Sequence, residues 1–480
     1  MIHVNKEAAR KMAQCSRSAL RLQALAKREV RLDFGAGRMS SEAGVMLLRE
    51  VEQRTGIIRQ LSQCFTDARD PKLVEHPVAR LVAQRVFGLA LGYEDLNDHD
   101  QLRRDPLLAA ATGCADLLGA ARRAPRDRGQ ALAGKSTLNR LELAAAAPDS
   151  RYKKIVADAA ALGDLLVQLF IQLHPQPPGI PLILDIDATD IPLHGHQEGR
   201  FFHGYYDEYC YLPLYVCCGD WPLAALLRLA DGDGAAGVTA VIPRLVTRLR
   251  AAWPDLPILV RGDSGFCRDA LLTWCETNKV QYVIGLARNP RLERWLAPTL
   301  AQAEAQYQQT RTAARVFAEC TYQTQDSWAC ARRVIGKAEH LPKGANPRFV
   351  VTNLPMASYP PAHVYEQLYC PRGGAGEQQI REQQLYLFAT RTSSYAFRAN
   401  QLRLYFSTYA YLFLVVLRHV GLRGTVLARA TCQTLRLRLL KLGALITVST
   451  RRVLIQCPQA APDQALFRLA VARLQAPASG

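Results

Sequence analysis

The stretch from Leu182 to Leu286 constrains the fold more than any other part of the chain. It follows a proline-rich boundary at Pro175 to Pro181. Leu182 to Ile186, Tyr211 to Cys218 and Leu223 to Leu229 are short apolar runs that predict three strands, with Gly219-Asp220 as the turn between the last two. Ala236 to Ala252 predicts a helix, because Val238, Val241, Ile242, Leu245, Val246 and Leu249 recur on one side. Ile258 to Val260 predicts a strand, Arg268 to Thr277 a helix and Val280 to Leu286 a strand. The order β-β-β-α-β-α-β describes an α/β layer in which three antiparallel strands join parallel ones.

The flanks read differently. Up to about residue 170 the pattern is mainly helical. Ser40-Ser41-Glu42 starts a helix whose stripe Val45, Leu47, Leu48 and Val51 ends near Gly56. Leu81 to Leu91, closed by Gly92, and Ser136 to Glu142 predict two more, and Gly119 to Gly134 a flexible basic loop. Between Pro290 and Leu354 the parallel pattern stops. There Val316 to Tyr322, Ser327 to Gly336 and Arg348 to Val351 predict a β-rich insertion, and helix resumes from Ala362. The expected division is a helical N-terminal region over 1–174, a core over 181–289 and 356–420 interrupted by the insertion 290–355, and a basic C-terminal region over 421–480.

Three acidic clusters fall where such a core places its chemistry. Asp185 and Asp187 end the first strand, with Asp190 just beyond. Strand alternation sends Asp185 and Asp187 to one side and Ile186 to the other. The carboxyl end of a central strand is the usual place for an α/β active site. Asp263 lies just past the fourth strand, between Gly262 and Gly265, which let backbone approach a ligand. Glu377 and Glu382 compete for a third position. Five residues apart on a helix, they cannot both face one site, and Arg381 and Gln384 share the face of Glu377. Two Asp and a Glu gathered by folding suit two divalent cations held against a phosphodiester.

The charge agrees with that chemistry. The chain of 480 residues carries a formal net charge of +18, and Gln383 to Pro462 contains no Asp or Glu. Such a stretch builds a one-sign field that attracts phosphate; within it Arg436, Arg438 and Lys441 are the candidates for backbone contact. Further basic zones are Arg122 to Arg128 and the arm bearing Lys6, Arg10, Lys11, Arg17, Arg21, Lys27, Arg28 and Arg31. No signal peptide is recognised and no apolar run reaches the length of a membrane span, the nearest being Ala410 to Leu417. The 13 cysteines form no CxxC pair, and Cys217-Cys218 reads as buried thiols, so a reducing cytoplasm is expected. His194-Gly195-His196, with Glu198 and His203, is a weak rival metal motif. Glu94 to Asp100 reads as a solvated loop joining helices.

The chain resembles bacterial insertion-sequence transposases of the DDE type, most closely the insertion-sequence family numbered thirteen-eighty. The resemblance rests on Ser40 to Gly44, Gly92 to Asp98, Ser136 to Glu142, Asp185 to Asp190, Gly195 to Gly199, Tyr205 to Asp207, Val260 to Phe266, Asn346 to Asn353 and Tyr365 to Cys370, in that order. It implies an RNase H-like core and a catalytic, metal-binding triad of Asp187, Asp263 and Glu377, the last following Tyr369 and Arg372. Asp185, Asp190 and Glu382 stand as alternatives. The resemblance further implies two Mg²⁺ ions, for which Mn²⁺ would substitute, and Tyr369, Arg372 and Arg381 on phosphate. The partners implied are double-stranded DNA, as terminal inverted repeats read by region 1–174 and as target, and a second copy in a homodimer on DNA. No membrane partner is expected, and the location is a bacterial cytoplasm at the nucleoid. Two features depart from the related signature. Four residues, Gly373 to Gly376, separate Arg372 from Glu377 where three are usual, and Gln384 stands where Lys is usual. Three glycines in that run predict a helix beginning only at Glu377. The alternatives are an RNase H-like nuclease without strand transfer and a DNA-binding protein whose catalysis has decayed.

Overall fold

The computed structural model describes residues 19–143 and 154–477; Lys6, Arg10, Lys11 and Arg17 of the basic arm lie outside the described residues. Its centre is a nine-stranded mixed sheet. Five strands come from the region 182–286: β1 (Leu182–Ala188), β2 (Leu214–Cys218), β3 (Trp221–Leu226), β4 (Ile258–Gly262) and β5 (Gln281–Leu286). They lie in the order β3-β2-β1-β4-β5. The first three pair antiparallel, while β4 runs parallel to both β1 and β5. The turn Gly219-Asp220 joins β2 to β3, and the longer segment 189–213 returns the chain from β1 to β2. The crossover helices α1 (Val238–Ala252) and α2 (Asp269–Thr277) permit the parallel arrangement.

The sheet does not stop at β5. The strands expected as a separate insertion are β6 (Ala314–Tyr322), β7 (Arg332–Leu341) and β8 (Arg348–Thr352). They continue it in the order β5-β8-β7-β6. Before them runs a helix that the sequence reading missed, α3 (Pro290–Thr310). Asn289 caps it by accepting from the Arg291 and Leu292 amides, and Pro290 takes its first position. Only Leu292, Leu296 and Ala303 are buried along it, too sparse a stripe to read as a helix period.

Two faces of the sheet differ. Leu182, Leu184, Ile186, Ile258, Val260, Tyr282 and Ile284 enter the main hydrophobic core with the helices. Leu259 and Val283 point the other way, into a smaller cluster with Val364 and Tyr365. That second face also carries Asp185, Asp187, Arg261 and Asp263, by the two-residue period of a strand. Across it lies α4 (Pro371–Tyr386), reached through a wider helical turn at Val364–Tyr369. The helix runs unbroken through Gly373 to Gly376, which corrects the expectation that it starts at Glu377. Pro371 at its start supplies a preset φ that offsets part of the glycine cost.

Behind α4, α5 (Phe397–Val416) crosses the core. With its continuation to Gly421 it is long and apolar enough to cross a membrane by composition, yet its apolar stretch is 89% buried within the fold. It packs on the helix Val78–Leu91, where Phe87 meets Phe413 edge to face at 5.2 Å. The helix expected from Ser40-Ser41-Glu42 forms only from Val45 to Thr55, the one expected at Ser136 to Glu142 forms as Lys135–Glu142, and Gly56 and Gly92 end their helices at φ 65° and 95°. Several hairpins were not foreseen, among them Phe201–His203 with Glu208–Tyr211. Leu20–Leu25 pairs with Arg28–Leu32, and Ala444–Val448 pairs with both Val453–Gln456 and Met39–Ser40. The described cysteines are free thiols.

Candidate active site

Register explains how the site is built. In the parallel pair of β1 and β4, Asp185 lies opposite Arg261. Their side chains form a two-pronged ion pair, both Nε–Oδ1 and Nη2–Oδ2 at 2.7 Å, and both are buried. Arg261 also donates to the Leu368 carbonyl at 2.8 Å, tying the sheet to the turn that leads into α4. Two residues further along each strand, on the same face, come Asp187 and Asp263. A bidentate pair thus forms the floor, and the two carboxylates stand above it.

Asp185, held as an alternative ligand, is therefore taken by Arg261. The register between β1 and β4 was the missing signal for Arg261, and no strand pattern alone contains it. Gly285 was also missed. A Cβ there would meet the Tyr369 hydroxyl oxygen at 2.7 Å and the Ser264 nitrogen at 2.8 Å. Glycine in β5 lets the Asp263 turn and Tyr369 close over the strand end. Asp263 holds that turn by accepting from the Gly265 amide at 2.9 Å. Burial raises the Tyr369 phenol, Arg372 lowers it and Asp263 raises it again.

Helix α4 brings the rest. Arg372 reaches between strand and helix: Nη1 lies 3.5 Å from Asp187 Oδ2 and Nη2 lies 3.7 Å from Glu377 Oε1. Asp187 is mostly buried, and its carboxyl is pushed up to about 6. Burial is the main cause; Arg372 opposes it, while Asp263 and Glu377 add repulsion. Asp187 is thus within electrostatic reach of both Asp263 and Glu377. Gln384, two turns along, lies 3.3 Å from Thr189 Oγ1 and 3.4 Å from the Asp190 carbonyl. Arg381 is exposed.

The opposite face of α4 is buried. Glu382 accepts from Arg418 Nη1 at 3.3 Å and from the Cys432 amide at 3.1 Å. The expected alternatives, solvated surface residue or metal ligand, are both replaced by a buried ion pair pointing away from Asp187. Arg418 and Cys432 were not foreseen, because a buried partner in a distant segment leaves no periodic trace. Asp190 lies beside Glu208, whose carboxyl is raised by burial and by that neighbour.

The C-terminal basic trio has partners within the chain. Arg436 donates to the carbonyls of Ala90, Leu89 and Tyr386, completing the end of the helix Val78–Leu91. Arg438 pairs with Asp463, and Lys441 pairs with Glu42 at 2.8 Å and lies 4.1 Å from the Tyr93 ring centroid. The acid-free stretch borrows its acids from elsewhere in the chain. Glu94 and Asp95 likewise pair with Arg391, at 2.8 and 2.7 Å. The histidine motif does not assemble: Glu198 accepts from the Phe397 amide at 2.9 Å. Among the described residues no three His, Cys, Asp or Glu side chains are gathered closely enough to hold a metal ion as they stand.

The donor chemistry of the Asp187 group nevertheless fits a divalent cation. Its ligands are carboxylate oxygens, as hard cations prefer. Asp263 and Glu377 both repel Asp187, and a guanidinium already supplies positive charge between Asp187 and Glu377.

Residues 22–479 match the family of transposase DDE domains, group 1. The chain belongs to the DDE transposase family. It is accordingly an enzyme of DNA cutting and joining, from a family that generally uses divalent metals. Among solved structures it is similar to the piggyBac transposase synaptic complex with hairpin DNA, with TM-score 0.41 and 13% identity, over 90% of this chain and 82% of that one. No curated protein matches it.

Proposed function

We propose that this transposase binds the terminal inverted repeats of its own insertion sequence, cleaves the ends and joins their 3′-hydroxyls to target DNA at Asp187, Asp263 and Glu377. The observation that carries this reading is the shared guanidinium. Arg372 reaches both Asp187 and Glu377, and Asp187 also feels Asp263. Sheet order β3-β2-β1-β4-β5 with acids at the ends of β1 and β4 supports an RNase H-like core. Asp187, Asp263 and Glu377 would hold two Mg²⁺ ions, or Mn²⁺ in their place. Bound there, the metal would activate water or a 3′-hydroxyl and stabilise the leaving oxygen.

The remaining roles belong to the chain itself. Arg372 and exposed Arg381 offset charge on the phosphate under attack. The Tyr369 hydroxyl, packed against the Asp263 turn, orients the strand. Asp185 and Arg261 fix the spacing of the strand ends. Region 1–174 reads the ends, two copies join two ends as a homodimer on DNA, and the protein works at a bacterial nucleoid. The motifs quoted above support membership of the insertion-sequence family numbered thirteen-eighty.

The test uses Asp187→Asn, Asp263→Asn and Glu377→Gln. Each should abolish cleavage and joining of labelled ends yet leave duplex affinity within a few-fold. Joining of pre-cleaved ends separates a transposase from a plain nuclease. Near-normal joining by all three variants would sink the assignment.

A further inference from the structure

Two arginine–carboxylate pairs stand one above the other on the same sheet face, and they differ. Arg261 grips Asp185 at 2.7 Å through both prongs, with the two side chains 6% and 3% exposed. Arg372 meets Asp187 and Glu377 by one prong each, at 3.5 and 3.7 Å, and the Glu377 side chain is 59% exposed. The lower pair is a permanent clip. The upper contact is loose and lies at the edge of solvent. Beyond it the first turn of α4 is open: a Cβ on Gly374 would meet nothing within 4 Å, and one on Gly373 only the Glu377 carboxylate, at 3.8 Å. Among the described residues no side chain packs over the helix backbone at Gly374, two residues along from Arg372.

We infer that Arg372 is an exchangeable counter-ion, which holds the Asp187–Glu377 group in the DNA-free protein and passes to a DNA phosphate when an end docks, so that metal binding and DNA binding are coupled. The inference rests on the assignment of Asp187, Asp263 and Glu377 to metal proposed above. Charge decides the direction. With DNA absent, Asp187 and Glu377 have Arg372 as their cationic neighbour. If cations take the carboxylates, the guanidinium loses its partners and faces like charge. A DNA phosphate supplies the partner it lost. DNA therefore favours metal, and by linkage metal favours DNA to the same factor. The device would keep a strand-cutting site poorly charged with metal until an end is in place.

Mn²⁺ titrations followed by electron paramagnetic resonance test this without any turnover. In the intact protein a short end duplex should tighten Mn²⁺ binding about tenfold, within the usual coupling range. Arg372→Gln should bind Mn²⁺ about tenfold more tightly than the native chain with no DNA, and DNA should then add little. Arg372→Lys keeps the charge and should stay near native. Asp187→Asn is the control and should weaken Mn²⁺ binding. If it weakens while Arg372→Gln is unchanged or weaker than native, the counter-ion role is wrong and the metal assignment stands. If Asp187→Asn has no effect, the metal assignment itself fails. Should Arg372→Gln not fold, the native chain alone decides: Mn²⁺ affinity indifferent to DNA overturns the inference.

Discussion

The Asp185–Arg261 pair offers the sharpest test of how the site is supported. Asp185→Asn leaves the Arg261 guanidinium buried with half its charge-assisted partners. The side chains are 3% and 6% exposed and both contacts are 2.7 Å, so solvent cannot replace what is lost. Breaking one partner of such a pair costs about 3–5 kcal/mol. If the sheet and its helices unfold as a unit of about 150–250 residues, the melting temperature should fall by roughly 6–20 °C. Replacing both members by apolar residues of similar size, Asp185→Leu with Arg261→Met, removes the orphaned charge and should recover most of the loss. The assay is a double-mutant cycle by thermal melting, with end cleavage measured in parallel. Stability and cleavage should return together in the double variant, because Asp185 supports the site without touching metal or DNA. A single variant costing under about 1 kcal/mol would refute the buried-pair reasoning. A double variant that regains stability but no cleavage would return Asp185 to the list of ligands.

Three further outcomes follow from the same geometry. Arg436→Gln should lower stability by about 1–3 kcal/mol, through loss of its three carbonyl contacts, while leaving the slope of log affinity against log salt unchanged; a flatter slope would mean that it touches phosphate after all. Glu382→Ala should cost about 3–5 kcal/mol by stranding Arg418, whereas Glu377→Gln, on the exposed face of the same helix, should change stability by about 0.5 kcal/mol or less; comparable melts for the two would contradict the orientation of the helix. Asp187 is raised from 3.8 to about 6 in the folded chain, so its contribution to stability is present below 3.8 and is lost as pH rises through about 6. Chelator-treated protein should therefore lose up to about 3 kcal/mol between pH 4 and 7.5 from this group. Asp187→Asn should remove that slope, and an unchanged pH profile in the variant would assign it elsewhere.

What the sequence discloses here follows from the range of the forces involved. Strands β1 to β5 and their crossover helices are legible because each buries an apolar face against the core, and burial imposes a period that a single chain records. Asp187, Asp263 and Arg372 are legible as chemistry at the ends of those elements. The partners that decide which acid faces the site are not. Glu382 and Glu377 are equally acidic and five residues apart. The difference between them is Arg418, thirty-six residues on, and the Cys432 amide, fifty residues on. Asp185 and Asp187 share a face of one strand, and only the register with β4 gives Asp185 to Arg261. The partners of the basic C-terminal stretch are hidden in the sequence for the same reason. Freedom from acid along the chain is no freedom from acid in space: Glu42, almost four hundred residues earlier, neutralises Lys441. A one-sign run in a folded protein therefore predicts a binding surface only for those charges that no other segment reaches. In this chain Arg372 and Arg381 satisfy that condition more fully than Arg436, Arg438 or Lys441. Arg381 is exposed, and the partners of Arg372 are carboxylates that a cation can take from it.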